Sequence, residues 1–402
     1  MTYPVKQPFR KIIFLATTSI LLFVALTLRV YAENTHKAGK AKNVILMIGD
    51  GMGLVHIMAT RIHYQGANGT LNIDRMPYTG FAMTHSDDDL ITDSAAASTA
   101  FSTGFKTHNG MIGVTPDSMK ALTILEACQQ MGMASGLVVT CEVTHATPAG
   151  MAAHVASRKQ HDRIAEQYID RRVNVILGGG LVYFLPKSQP ESKRQDEKNL
   201  IRLAAAKGYE FVDTKDRLRK ANSEYLLGLF APKELTDGSQ EPSLVEMTET
   251  ALRLLARDSE GFFLMVEGSQ IDWRAHDNDE NGVYKQTKQF DEAIGAAMDF
   301  VARDKHTLLV ITADHETGGM ALSGGDMNGK TVDIRWVSTK HTGAMVPVYA
   351  CGPGSDRFTG TFDNTEIPIR IASLLGIRDF PKITGALEKP NRANIERRAP
   401  SE

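Results

Sequence analysis

Cysteine is scarce, with Cys128, Cys141 and Cys351 the only three in 402 residues. An odd, scattered trio builds no disulfide framework and leaves at least one thiol unpaired. Aromatic content is modest at 7%, and neither sign of charge dominates, the formal net charge being −2. A basic nucleic-acid surface and an acidic shell are both excluded. No internal repeat or low-complexity tract interrupts the chain. What remains, with 42% hydrophobic residues, makes a sizeable core for one large α/β domain or two ordinary ones.

The N-terminus carries a separate signal. Lys6, Arg10 and Lys11 precede an almost wholly apolar run, Ile12 to Val30, which closes on Val30-Tyr31-Ala32. This is the form of a secretory signal peptide over 1–32, cut after Ala32, leaving 33–402 as the exported domain. Export places it in the periplasm or outside the cell. The run is long enough for an uncleaved anchor to be the rival reading, the one case in which a membrane would be involved. Residues 33–42 form a polar leader. An exported chain without a disulfide framework must rest on its core, which bound metals can supplement. Cys128, in a helical pattern, and Cys141, at the end of a strand pattern, read as small buried hydrophobes.

Strand and helix patterns alternate along the rest. Asn43–Gly49, Ala134–Cys141, Val173–Leu177, Phe262–Val266, Leu308–Thr312 and Val346–Ala350 are apolar runs of strand length. Helical patterns cover Leu54–Tyr64, Ser94–Thr103, Met119–Met131, Ala149–Ser157, Asp162–Arg171, Glu191–Lys207, Ser243–Arg257, Tyr284–Arg303 and Thr365–Leu375. The alternation predicts an α/β fold with a mainly parallel central sheet and helices on both faces. Asp213–Ser243 and Gly318–His341 are weakly patterned and read as surface insertions, and the chain beyond Gly376 as a peripheral tail.

In open α/β sheets, ligands bind beyond the carboxyl ends of the strands. Asp50 follows one apolar strand, Glu267 another, and Asp314 with His315 a third. One such residue reads as a turn or cap; three together point to a site. Asp272 and His276 are four apart and share a helix face, where a carboxylate and an imidazole could grip one Zn²⁺. Without a metal they are an ordinary exposed pair. His341, in a polar loop, carries almost no signal alone. Asp93 and Ser94 open a small-residue helix. Either could be its N-cap, and the same geometry would let Ser94 act as a nucleophile towards phosphate bound at the helix start. Pro148, after Thr147, opens another helix, with Arg158 near its end. Arg158 is either a charge favourable to the helix dipole or a fork for two phosphate oxygens.

Taken in order, these stretches resemble the alkaline phosphatase family: IGDGMG at 48–53, TDSAAASTA at 92–100, THATPAGMAAHVASRK at 144–159, MVEGSQIDWRAH at 265–276, TADHETGG at 312–319 and KHTG at 340–343. The resemblance implies two Zn²⁺ and one Mg²⁺, with Co²⁺ able to replace one or more. It implies hydrolysis of small phosphate monoesters through a phosphoserine, an alkaline optimum, no nucleic-acid specificity and a homodimer. By position, Ser94 is the nucleophile, and Arg158, oriented by Asp93, binds the phosphoryl group. Asp272, His276 and His341 hold one zinc. Asp50, Asp314 and His315 hold the other, and Asp50 with Thr147 and Glu267 holds magnesium. Two metals about 3.5–4 Å apart would stabilise the entering and leaving oxygens of an in-line displacement. His145 and Trp273 stand where the best-known bacterial pattern has Asp and Lys. They leave the third metal's identity open, His145 being either a ligand or a hydrogen-bonding neighbour. A phosphodiesterase or sulfatase of the same superfamily is the nearest rival, and an exported metal or phosphate scavenger is the rival of another class.

Overall fold

The computed structural model describes residues 41–236 and 238–387. The predicted signal peptide, the leader up to residue 40 and the end of the tail lie outside them. Ten strands form one sheet: β1 Asn43–Gly49, β2 Tyr78–Met83, β3 Ala134–Glu142, β4 Val175–Gly179, β5 Glu210–Val212, β6 Leu226–Leu229, β7 Phe262–Gly268, β8 Thr307–Thr312, β9 Val346–Cys351 and β10 Gly360–Asp363. Across the sheet they run β10-β2-β9-β8-β1-β7-β3-β4-β6-β5. All neighbours are parallel except the two pairs made by β9, with β2 and with β8. Every residue of β1, β7 and β8 is buried. Such strands are covered on both faces, which is why they read as unbroken apolar runs. The expected α/β architecture, a mainly parallel sheet packed by helices, is the one observed.

Local departures have local causes. Met119–Ala121 is not helical but a short strand paired with Ile383–Ala386. The helix begins at Ile124, where a capping box sets its start: Thr123 Oγ1 accepts from Glu126 N and Glu126 Oε2 from Thr123 N. Of Glu191–Lys207 only Leu200–Ala206 is helical, capped by the Asn199 side chain. The preceding stretch folds around Arg194, whose buried guanidinium donates to Asp196, Glu166 and the carbonyls of Asp162 and Tyr183. The segment Asp213–Ser243 is not an insertion, because it contains β6, an interior strand of the main sheet. By contrast, Ala321–Gly325 and Val332–Arg335 do form a separate two-stranded ribbon.

Two helices that flank the sheet edge pack almost backbone to backbone. All ten residues of Ser94–Thr103 are buried. Ser98 Oγ donates to Ala146 O at 3.1 Å and Ser102 Oγ to Gly150 O at 2.6 Å, across to the helix Ala146–Ala152. A Cβ at Gly150 would lie 2.4 Å from Ser98 Oγ and 2.6 Å from Ser98 Cβ. Gly150→Ala is therefore expected to destabilise the protein by about 1–3 kcal/mol through overpacking. Equilibrium denaturation reads this directly, and an unchanged midpoint would mean that the helices separate without cost.

Candidate active site and metal centre

Four adjacent strands, β8-β1-β7-β3, end at one edge of the sheet, and each delivers polar residues there. Asp50 follows β1, and Ile48 on β1 is in register with Glu267 on β7. Asp314 and His315 follow β8, and β3 leads to His145 and to Thr147 on the helix Ala146–Ala152. Because β9 runs the other way, its beginning lies at this same edge and brings in His341. A short ribbon, Glu316–Thr317 against His341–Thr342, fixes His341 beside His315. The helix Gln270–His276 presents Asp272 and His276 together. Gly51 permits the close approach: its φ is +73°, and a Cβ there would be 2.7 Å from Asp272 Cα.

His276 Nε2 lies 3.3 Å from Asp272 Oδ2, and His341 Nε2 lies 3.6 Å from Asp272 Oδ1. The other nitrogen of each ring faces a carbonyl, His276 Nδ1 with Thr339 O at 2.7 Å and His341 Nδ1 with Thr92 O at 2.8 Å. Both Nδ1 atoms therefore donate, so each ring, when neutral, has its lone pair on Nε2, and the two Nε2 atoms lie 3.2 Å apart. Two neutral rings set this way cannot bond each other; they can share a cation, or His276 can take a proton and donate to Asp272. Carbonyl-fixed tautomers of this kind are the usual support of metal-ligating histidine.

The second group adjoins the first, the His315 and His341 rings stacking with centroids 3.5 Å apart. His315 Nε2 is 3.1 Å from Asp314 Oδ2 and 3.7 Å from Asp50 Oδ1. Gly51 N donates to Asp314 Oδ1 at 3.0 Å. Ser94 Oγ is 3.3 Å from His315 Nε2.

Ser94 is not the cap of its helix. Asp93 is: its Oδ1 accepts from Ala96 N at 2.9 Å, and its Oδ2 accepts from Arg158 Nη1 at 3.0 Å. Arg158 does not sit at a helix end, since that helix stops at Ala152 and Arg158 N donates to Gly110 O at 2.7 Å. Arg158 Nη2 is 3.1 Å from His145 Nε2. Trp273 stands edge-on to His145, with centroids 6.0 Å apart.

The third group contains a residue that sequence reasoning did not assign to the site. Cys141, His145 and Glu267 each offer a ligand atom within 4.8 Å of the others. Cys141 Sγ lies 3.5 Å from Glu267 Oε2. All three cysteines are free thiols, and Cys128 is the buried hydrophobe expected. The cue for Cys141 was its place at the end of β3, the same cue that marked Asp50. Thr317, which donates to Asp272, was likewise passed over within TADHETGG.

Burial makes these clusters costly without cations. Asp50, Glu267 and Asp314 are fully buried. Both oxygens of Asp50, Glu267 Oε1 and Thr147 Oγ1 have no hydrogen-bond partner among the described residues. Burial first, and then the charges of Asp314, Asp272 and Glu267, push Asp50 well above the usual carboxylate range. Burial and then Asp314 push Glu267 up to about 7. Burial would raise Asp272 too, but the His276 hydrogen bond and three imidazole charges outweigh it and hold the group low. That hydrogen bond is also the main cause lifting His276 to about 9. Burial and the Arg158 charge lower His145 to about 3, so it is neutral. Orphaned oxygens, facing lone pairs and raised carboxyls fit bound divalent cations.

Known proteins match most of the chain. The profile of the family described as "Alkaline phosphatase" matches residues 41–333. Alkaline phosphatase 4 of Bacillus subtilis (strain 168) is 38% identical, over 83% of this chain and 88% of that protein. The structure of alkaline phosphatase from the Antarctic bacterium TAB5 matches with a TM-score of 0.77 and 33% identity, covering 84% of this chain and 98% of that one. A His-to-Asp mutant of the TAB5 enzyme, with Mg bound in the M3 site, matches with a TM-score of 0.77 and 32% identity, over 84% and 99%. With the fold, the family match and these relatives in agreement, the chain belongs to the alkaline phosphatase family of phosphomonoester hydrolases.

Proposed function

We propose that the chain hydrolyses small phosphate monoesters through a phosphoserine at Ser94, with two Zn²⁺ and one Mg²⁺ as cofactors and Co²⁺ able to substitute. The observation that carries this reading is the release of Ser94 from capping: Asp93 caps the helix, and Ser94 Oγ faces His315 at 3.3 Å. Asp272, His276 and His341 would hold one zinc; Asp50, Asp314 and His315 the other; Asp50, Thr147 and Glu267 the magnesium. When bound, such ions lower the pKa of a hydroxyl and neutralise charge on the transferring phosphoryl group. The helix N-terminus at Ser94 favours the phosphate oxygens with its backbone N–H groups. Asp93 holds the Arg158 guanidinium, which grips two non-bridging oxygens. All these contacts address phosphate and none addresses the leaving alcohol, which supports broad specificity and a monoester rather than a diester or sulfate substrate.

Export follows from the N-terminal sequence, with maturation after Ala32. No helix among the described residues is long and apolar enough to cross a membrane. Leu54, Val337 and Met345 are exposed beside the buried Glu316, and this apolar surface supports a homodimer.

Ser94→Ala is expected to abolish phosphoenzyme trapped at acidic pH while leaving the metals bound. Label persisting in the Ala variant would identify another nucleophile.

Metal removal has two expected consequences. Chelation abolishes activity, and Zn²⁺ or Co²⁺ with Mg²⁺ restores it; full activity in a verified metal-free sample would end this reading. The metal-free protein also becomes pH-sensitive. Glu267, raised from 4.5 to about 7, keeps its proton in the folded state where the unfolded chain has lost it. Stability of the metal-free form therefore falls as pH rises across that window, by roughly 3 kcal/mol at most. Melting temperatures of the metal-free and metal-loaded forms between pH 5 and about 8 should diverge.

Arg158→Ala should weaken inhibition by inorganic phosphate by about 1.5–3 kcal/mol, the worth of a charged hydrogen bond. Arg158→Lys should weaken it less, keeping the charge but not the fork. An unchanged inhibition constant would move the phosphate clamp elsewhere.

A further inference from the structure

Asp93 caps the Ser94 helix, and its own N–H needs an acceptor. In a capping box the side chain at the third helical position would supply one, but that position is Ala96, which has none. Asn109 supplies it from outside the helix: Asp93 N donates to Asn109 Oδ1 at 2.8 Å. On its other side Asn109 Nδ2 donates to Ile91 O at 3.0 Å. A backbone N–H only donates and a carbonyl only accepts, so these two contacts fix which way the amide points. They straddle Thr92, whose carbonyl faces His341 Nδ1.

The next residue of the same loop holds Arg158, whose N donates to Gly110 O at 2.7 Å. Consecutive residues thus fix the backbones of Asp93 and Arg158, while the side chains of those two residues meet at 3.0 Å. The loop is itself anchored. Asn109 N donates to Asp88 Oδ1 at 3.0 Å. Gly113 N donates to Thr99 Oγ1, on the Ser94 helix, at 2.9 Å. Ile112 and Val155 exchange both backbone hydrogen bonds at 3.0 Å. We propose that Asn109 is a positioning residue for phosphate binding: its amide, with the Gly110 carbonyl, sets Asp93 and Arg158 against each other so that the guanidinium fork faces the phosphoryl group. The contacts of its side chain are to protein backbone, so it acts through Asp93 and Arg158. A planar fork gives up one of its two parallel bonds when its carboxylate partner turns.

This rests on the reading of Arg158 as the phosphate clamp, and a double-mutant cycle tests it. The inhibition constant of inorganic phosphate is measured for the wild type, Asn109→Ala, Arg158→Ala and the double variant, with Zn²⁺ and Mg²⁺ in excess. Inhibition constants do not depend on how much enzyme folds, and melting temperatures are recorded beside them. Asn109→Ala is expected to raise the constant roughly three- to tenfold, the range for a lost neutral hydrogen bond. In the Arg158→Ala background the same change is expected to raise it by less than about twofold, because no clamp is left to misplace. Asn109→Asp serves where Asn109→Ala fails to fold. It keeps the size of the side chain and the acceptor for Asp93 N, but loses the donor to Ile91 O. Its effect should likewise vanish without Arg158, whereas simple repulsion of phosphate by the added charge would persist. An unchanged inhibition constant, or a loss of equal size with and without Arg158, would overturn the positioning role while leaving the function intact. An unchanged constant in Arg158→Ala itself would overturn the clamp and this inference together.

Discussion

Four carboxylates, Asp50, Glu267, Asp272 and Asp314, are buried at one edge of the sheet. The ionic partners of Asp50, Asp272 and Asp314 are imidazoles rather than lysines or arginines. Buried like charges repel and are poorly solvated, so the cluster is tolerable only if protons or metal ions neutralise it. Protons would hold Asp50 and Glu267 neutral and so withdraw them as ligands. Divalent ions leave all four ionised and available. The rest of the site follows from that constraint, including the carbonyls of Thr92 and Thr339 that turn two imidazole lone pairs inward.

The sheet brings these charges together without long-range searching. In a parallel sheet all strands end at the same edge, so residues just past neighbouring strands become neighbours. Here β8-β1-β7-β3 are consecutive across the sheet although their order in the chain is quite different. The single reversed strand, β9, has its own part in this. Reversal places its beginning, rather than its end, at the site, and that is how a histidine from late in the chain reaches Asp272.

The strand-end logic made much of this readable from sequence. Asp50, Glu267, Asp314 and His315 were visible because each interrupts an apolar run, and Asp272 with His276 because helical spacing pairs them. His341, Arg158 and Thr147 had no such local mark; only the resemblance assigned them, since their meaning depends on partners from other elements and on loops with no period. Cys141 was hidden for the opposite reason: a thiol at the end of a buried strand matches the expectation for a core residue. Arg194 explains why Glu191–Lys207 misled. A fully buried guanidinium with four hydrogen-bonding neighbours organises the chain around itself, and a charge-rich segment of that kind looks like an exposed helix. The weak pattern of β6 hid an interior strand because it is only four residues long.

Asp93 ties the start of the Ser94 helix to Arg158. Its two oxygens do separate work, one capping the helix at Ala96 N and the other holding Arg158. An uncapped helix start would draw the Ser94 hydroxyl back onto the backbone, as serine does at N-caps. With Asp93 as cap, Ser94 instead projects at the first helical position towards His315. Any movement of this carboxylate would disturb helix, arginine and serine together. The small residues behind it, Ala95 to Ala97 and Ser98 against Gly150, leave the helix little room to shift. The position of Ser94 is thus fixed by backbone packing at one end and by a shared carboxylate at the other, beside the buried charge cluster that calls for neutralising ions.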